Sequence, residues 1–277
     1  MDTLDALILG IIQGLSEYLP ISSSGHIEIG REILGLNLPK DEALQFSILL
    51  HVATVLSTIV VLWKEFVPLI TSFFGFKRDA NTSYVWKILL SCIPVMIVGL
   101  FFKEQVEEFF GNGLLVVGIC LIATAALLLF AYFFRRGTVG LDGAYAGRDI
   151  TFTDAFVIGI GQAIAVLPGL SRSGTTIATG IMLGDKRGDV AKFSFFMVII
   201  PILGEALLDA KKILFPAADA AVSGQPEVGA AALVVGFLAS FVVGCFACKW
   251  MINLVKKGKL VWFALYCLIA GIICIVY

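Results

Sequence analysis

Long apolar runs dominate the chain, and their lengths predict helices before any single residue is considered. Six of them, Ala43–Trp63, Val85–Phe102, Leu114–Phe134, Ala191–Leu208, Ala230–Cys248 and Leu260–Tyr277, reach or approach the length needed to cross about 30 Å of hydrocarbon. Two further apolar segments are interrupted. One covers residues 4–36 and breaks at Pro20-Ile-Ser-Ser-Ser-Gly25; the other covers 155–184 and breaks at Pro168-Gly-Leu-Ser-Arg-Ser-Gly174. Each half is too short to span alone. Irregular polar backbone at membrane depth is tolerated only where protein buries it or where it lines a wet cavity. The pattern therefore predicts two re-entrant helix–loop–helix hairpins, each entering and leaving on one side.

The interrupted segments match each other. One constant shift aligns Asp5 with Asp154, Gly10 with Gly159, Gln13 with Gln162, Ser22 with Ser171, Ser24 with Ser173, Gly25 with Gly174 and Gly35 with Gly184. After a small slip, Phe46-Ser47 matches Phe193-Ser194, and Gly99 later matches Gly244. The order of these pairs predicts an internal duplication, residues 1–140 and 141–277, within one membrane domain. A re-entrant hairpin plus three crossings is an odd number of passages. The second half must then be upside down, so the expected fold is an all-α integral membrane protein of inverted-topology repeats.

Charge gives the sidedness. One face would carry Lys64, Lys77, Arg78, Lys87, Arg135, Arg136, Arg148, Lys186, Arg187, Lys192, Lys249, Lys256, Lys257 and Lys259, and the other only Arg31, Lys40, Lys103, Lys211 and Lys212. The basic face is cytoplasmic by the positive-inside rule, which puts both termini outside. Trp63, Trp86, Trp250 and Trp262 fall at helix ends on that same face, as interfacial anchors do. Composition agrees: 59% of residues are apolar, 15% are charged, and the mean hydropathy is +0.97. That excludes a soluble enzyme or a secreted disulfide scaffold. A net charge of -1 gives no reason to expect nucleic acid as a partner. The six cysteines lie in apolar runs and read as packing residues, the Cys245-Phe-Ala-Cys248 spacing included. Asp2 and Asp5 stand where a cleavable signal would be basic, so no signal peptide is expected.

Ionisable groups at membrane depth are costly and mark candidate function. Here they are Glu17, His26, Arg172 and Glu205. Gln13 and Glu17 share a helix face, Pro20 ends that half-helix, and Ser22-Ser-Ser-Gly25-His26 opens the next. Ser171, Ser173, Gly174 and Thr175 surround Arg172 at the start of the other half-helix. Serines at a helix start can be plain caps, and Arg172 can be a permanent partner of Glu17 or Glu205. Two serine- and glycine-lined helix starts facing each other with a guanidinium also form a phosphate cage, with Ser22, Ser24 and Gly25 contributing from the first hairpin. Glu17 could hold a divalent metal or act as a base. His26 could shuttle a proton or attack phosphorus, and Ser23 is a nucleophile if His26 deprotonates it. His51 reads as a helix-packing residue, Glu205 as structural, and Glu104, Glu107 and Glu108 as a solvated face.

Gly10-Ile-Ile-Gln-Gly-Leu-Ser-Glu-Tyr-Leu-Pro-Ile-Ser-Ser-Ser-Gly-His26 and Pro168-Gly-Leu-Ser-Arg-Ser-Gly174 resemble the two signature motifs of the bacterial undecaprenyl-diphosphate phosphatases, also called the bacitracin resistance protein family. The resemblance covers essentially the whole chain. It implies hydrolysis of undecaprenyl diphosphate to undecaprenyl phosphate and phosphate at the bacterial cytoplasmic (inner) membrane. That reaction recycles the lipid carrier for peptidoglycan synthesis and confers bacitracin resistance. It also implies a divalent cation, magnesium or calcium. The family's Glu-or-Gln, three residues, Glu motif falls on Gln13 and Glu17, leaving one carboxylate where two can occur. The resemblance carries catalytic roles to Glu17, Ser23, His26 and Arg172 and leaves the nucleophile open between Ser23, His26 and water. The expected partners are the polyprenyl diphosphate, membrane lipid and, as an open option, further copies of the chain. The rival from another class is a secondary transporter or flippase of an anionic lipid, which uses the same architecture.

Overall fold

A computed structural model of the chain describes residues 1–102, 105–106, 113–134, 147–214 and 228–277, with the side chains of 40, 41 and 209–214 left aside. The helices are α1 (Thr3–Ser16), α2 (Ser23–Ile33), α3 (Lys40–Val61), α4 (Trp63–Phe74), α5 (Ala80–Phe101), α6 (Gly113–Phe134), α7 (Phe152–Ile164), α8 (Arg172–Leu183), α9 (Arg187–Met197), α10 (Ile199–Leu214), α11 (Ala230–Lys256) and α12 (Val261–Val276). Among the described residues the only β feature is an isolated bridge between Arg148 and Asp185. The meeting point of the halves near Gly140, Arg135, Arg136 and the acidic residues Glu104, Glu107 and Glu108 lie outside the described residues.

Both interrupted segments are broken helix pairs, α1–α2 and α7–α8. Residues at matching positions of the two segments explain why they start where they do. Asp2 and Asp5 form a reciprocal capping box at α1, and Thr151 and Asp154 form one at α7. Ser22 Oγ then caps α2 on the Gly25 amide at 3.3 Å, and Ser171 Oγ caps α8 on the Gly174 amide at 3.0 Å.

Small residues let the helices approach closely. A methyl group on Gly10 would lie 2.5 Å from the Gly236 carbonyl of α11, and one on Gly159 would lie 2.4 Å from the Ser91 carbonyl of α5. These contacts fix relative direction. Gly10 and Gly14 of α1 meet Gly236 and Gly244 of α11, while Phe46 and Ser57 of α3 meet the same two glycines, so α1, α3 and α11 run parallel. In a second set, Lys87 of α5 lies over the Phe152 ring at the head of α7, and Ser91 meets Gly159. Tyr84 packs on Phe193, and Cys92 reaches Met197 of α9. α5, α7 and α9 therefore run parallel as well. The two sets oppose each other: Glu65, just past α3, pairs with Lys192 midway along α9 at 2.7 Å, while Thr54 and Thr58, earlier in α3, line one cavity with Ser194, Val198 and Ile202, further along that chain. α6 and α12 cross antiparallel through Gly118 and Gly271.

Basic residues gather at one end of the bundle. Lys192 pairs with Glu65, Lys186 with Asp149 at 2.6 Å, and the Lys256 side chain runs past Gly188. The opposite end holds the starts of α3 and α11, joined by the Val228 amide donating to Glu42 at 3.1 Å.

Three elements differ from the sequence expectation. Among the described residues, five helical stretches are long and apolar enough to span: Glu42–Val61, Ala80–Phe101, Gly113–Phe134, Arg187–Leu208 and Ala230–Lys256. The expected span Leu260–Tyr277 forms a helix of only 16 residues, about 24 Å long. The chain after Leu62 begins a separate helix, α4, between the expected spans Ala43–Trp63 and Val85–Phe102, where the apolar pattern predicted no element. Third, the run from Ala191 is interrupted at Val198. Pro201 has no N–H to give the Met197 carbonyl, and the Cys92 thiol donates to that carbonyl instead, at 3.3 Å. All six cysteines are free.

Candidate active site

The two breaks meet at the centre of the bundle. Ser173 Oγ donates to the Leu19 carbonyl at 3.0 Å, and a methyl on Gly174 would lie 3.2 Å from Pro20 Cβ. Gly169 sits at φ +90°, where a side chain would strike the Val117 carbonyl of α6 at 2.5 Å. Glycine is thus required for the second tip to lie against α6.

Glu17 is the hub. Its side chain is 7% exposed at the C-terminal end of α1. Oε2 accepts from Gln13 Nε2 at 2.9 Å and from the Ser23 hydroxyl at 2.7 Å. Oε1 accepts directly from the Arg172 guanidinium. His51 Nε2 stands 3.5 Å from Oε2, and its Nδ1 is 2.8 Å from the Ser47 carbonyl. Ser23 and Arg172 are the first residues of α2 and α8 and are counterparts in the repeat. Two helix starts at matching sequence positions thus reach a single carboxylate. The same shift places Val166 opposite Glu17, so the second hairpin has no matching carboxylate.

The remaining sequence candidates divide. Ser22 and Ser171 are caps, and Ser173 holds the tips together. Ser24 is half-buried, with its hydroxyl 3.4 Å from Ser22 Oγ. Gly25, Gly174 and Thr175 are buried, the last with Oγ1 unbonded. His26 does not join the Glu17 cluster: Nδ1 is 2.7 Å from the Ser22 carbonyl and Nε2 is 2.7 Å from the Tyr266 hydroxyl. The proton of Ser23 goes to Glu17 rather than to His26. Glu205 is exposed on α10, leaving Glu17 as the carboxylate bonded to Arg172.

Two residues at the site depart from the sequence reading: His51, expected to be a helix-packing residue, stands beside Glu17, and Tyr266 was not singled out. Both lie inside apolar runs. Ser47, four residues before His51 and on the same face, was the one available signal for it, and nothing in the sequence marked Tyr266.

A small cavity of about 10 Å³, lined by Glu17, Arg172, Ser173, Thr54, Thr58 and Ser194, adjoins the pair. It has room for about one water. Gln13 Oε1 is a buried acceptor with no hydrogen-bond partner beside the carboxylate. No cluster of three or more His, Cys, Asp or Glu suited to a metal occurs among the described residues. One carboxylate and one amide oxygen do not make an all-protein cage. They do fit a hard cation that takes most of its ligands from phosphate and water.

Fold and site together define a helical multi-pass membrane protein whose two broken helix pairs meet at a serine–carboxylate–guanidinium centre. The chain belongs to the bacitracin resistance protein BacA family, whose model matches residues 6–273. It is 53% identical over 276 residues to the undecaprenyl-diphosphatase of Bacteroides fragilis (strain ATCC 25285), covering 100% of this chain and 98% of the relative. It is 54% identical over 278 residues to that of Parabacteroides distasonis, covering 99% and 98%. The undecaprenyl-diphosphatase of the more distant Methanobrevibacter smithii is 36% identical over 289 residues, covering 99% and 96%. The family supports hydrolysis and lends no support to the transporter reading.

Proposed function

We propose that the protein hydrolyses undecaprenyl diphosphate to undecaprenyl phosphate and inorganic phosphate at the meeting point of the two hairpins. One observation carries the chemistry: the Ser23 hydroxyl is donated to one oxygen of Glu17 while Arg172 holds the other. Glu17 takes the proton as Ser23 Oγ attacks the terminal phosphorus, then passes it to the bridging oxygen as that bond breaks, releasing the lipid monophosphate and restoring the carboxylate. Water, deprotonated by the same carboxylate, then cleaves the Ser23 phosphoester, restoring the hydroxyl and releasing phosphate. Arg172 has one donor on Glu17, so its remaining N–H groups can serve phosphoryl oxygens. Amides at the starts of α2 and α8 supply further partial positive charge, and Ser24 adds a half-buried hydroxyl. Glu17 and Gln13 Oε1 would hold magnesium or calcium, which would neutralise diphosphate charge.

The opposed helix sets and the antiparallel α6–α12 crossing support an inverted duplication with the boundaries given above. The basic end supports a cytoplasmic assignment for that face in the inner membrane, with both termini and the mouth of the first hairpin outside. The prenyl tail stays in lipid, each methylene contributing about 0.8 kcal/mol of anchoring.

Phosphate release from a polyprenyl diphosphate by detergent-purified, lipid-supplemented protein tests the proposal. Release is expected with magnesium or calcium, to be lost with chelator, and to be lost in Ser23→Ala. Absence of release from folded protein, or full activity in Ser23→Ala, contradicts it.

A further inference from the structure

Ser22 has φ +70°, one of two non-glycine residues with positive φ among those described. Its counterpart Ser171 caps α8 with an ordinary φ of -67°. The strain is therefore not needed for capping, and it occurs only in the half that carries the reacting serine. The Ser22 carbonyl can only accept, so the His26 Nδ1 at 2.7 Å must be the protonated nitrogen. In the neutral ring Nε2 is then a lone pair, and the Tyr266 hydroxyl at 2.7 Å donates to it. The two rings lie nearly parallel, 19° apart, with centroids at 5.6 Å. A single chain of hydrogen bonds thus runs from α12 of the second half through His26 to the strained turn. One residue beyond that turn, Ser23 meets Glu17. The second hairpin offers an internal control. Thr175 stands where His26 would be, its hydroxyl is unbonded, and the turn before it is relaxed.

We infer that Tyr266 and His26 form a strut that holds the strained Ser22 turn, and that both are positioning residues for Ser23. The inference rests on the reading of Ser23 and Glu17 as the reacting pair.

Turnover of polyprenyl diphosphate by purified variants tests it. Tyr266→Phe keeps the ring and is expected to lower kcat on the order of tenfold with KM changed less than about twofold. Glycine adopts positive φ without strain. In a Ser22→Gly background the same Tyr266→Phe change is therefore expected to cost less than about twofold. His26→Asn retains a donor for the Ser22 carbonyl and should exceed His26→Ala on the order of tenfold. Wild-type kcat in Tyr266→Phe, equal costs in both backgrounds, or His26→Asn no better than His26→Ala would each overturn the strut. The chain has two histidines, so 15N-histidine labelling reads the contact without activity. The His26 Nε2 resonance should move in Tyr266→Phe while His51 stays in place, and an unmoved resonance would overturn the hydrogen bond itself. If Ser23→Ala is fully active but the resonance moves, the strut stands and the reading of the reacting pair fails.

Discussion

Arg172→Lys is expected to lower kcat/KM for polyprenyl diphosphate by about 100-fold, with thermal stability in detergent nearly unchanged. Arg172 opens α8 and contacts Glu17, and its side chain is 28% exposed, so it faces both the carboxylate and the space where phosphate would bind. A guanidinium can keep one N–H on Glu17 and present others in a fixed plane to phosphoryl oxygens. An ammonium on a flexible stem preserves the charge, and hence the pairing with Glu17, but loses the fork. The loss should therefore appear in kcat as well as KM, because charge on the phosphoryl oxygens is redistributed in the transition state. Steady-state phosphate release beside a thermal melt separates this from misfolding. Near-normal turnover would show that Arg172 serves only as a counter-charge.

Glu17→Gln is expected to lower kcat about 1,000-fold, within the range lost when a general base is removed. The amide keeps the size of the side chain and can still accept from Ser23, but it cannot take the proton. The effect on KM should have the opposite character. Removing a negative charge that is 7% exposed and bonded to Arg172 frees the guanidinium for phosphate and removes repulsion of the diphosphate. At saturating magnesium or calcium KM should stay level or fall, while the metal concentration needed for half-maximal activity rises, because Glu17 would also hold the cation. Parallel losses in kcat and binding even at saturating metal would instead indicate that Glu17 mainly holds the site together.

The two broken helix pairs were legible in the sequence because their signals are local. Proline and serine–glycine clusters interrupt apolar runs, and the paired Asp5 and Asp154 mark two capping boxes at corresponding places. That Arg172 needs an anionic partner was also legible, since an arginine at that depth requires one, but the choice of Glu17 over Glu205 came from the packing. His51 and Tyr266 were not legible, because position along an apolar span does not say which face meets the site. That depends on close packing through residues such as Gly236 and Gly244 for α3 and Gly118 and Gly271 for α12. His26 could be placed in the right loop but not given its direction, which follows from the Ser22 backbone. The interruption at Val198 needed the tertiary contact with Cys92, although Pro201 was visible.

The central claim is one site built from both hairpin tips, and cysteine crosslinking tests it most directly. Pro20→Cys and Gly174→Cys would be combined in a chain whose six native cysteines are replaced, with a protease site inserted between residues 140 and 141. The Gly174 Cβ position lies 3.2 Å from Pro20 Cβ, close to the span a disulfide bridges after slight adjustment. Mild oxidation in membranes is expected to leave the cleaved halves joined until a reductant is added. Halves that separate without reductant, while a control pair at α6 and α12 stays joined, would contradict a shared site.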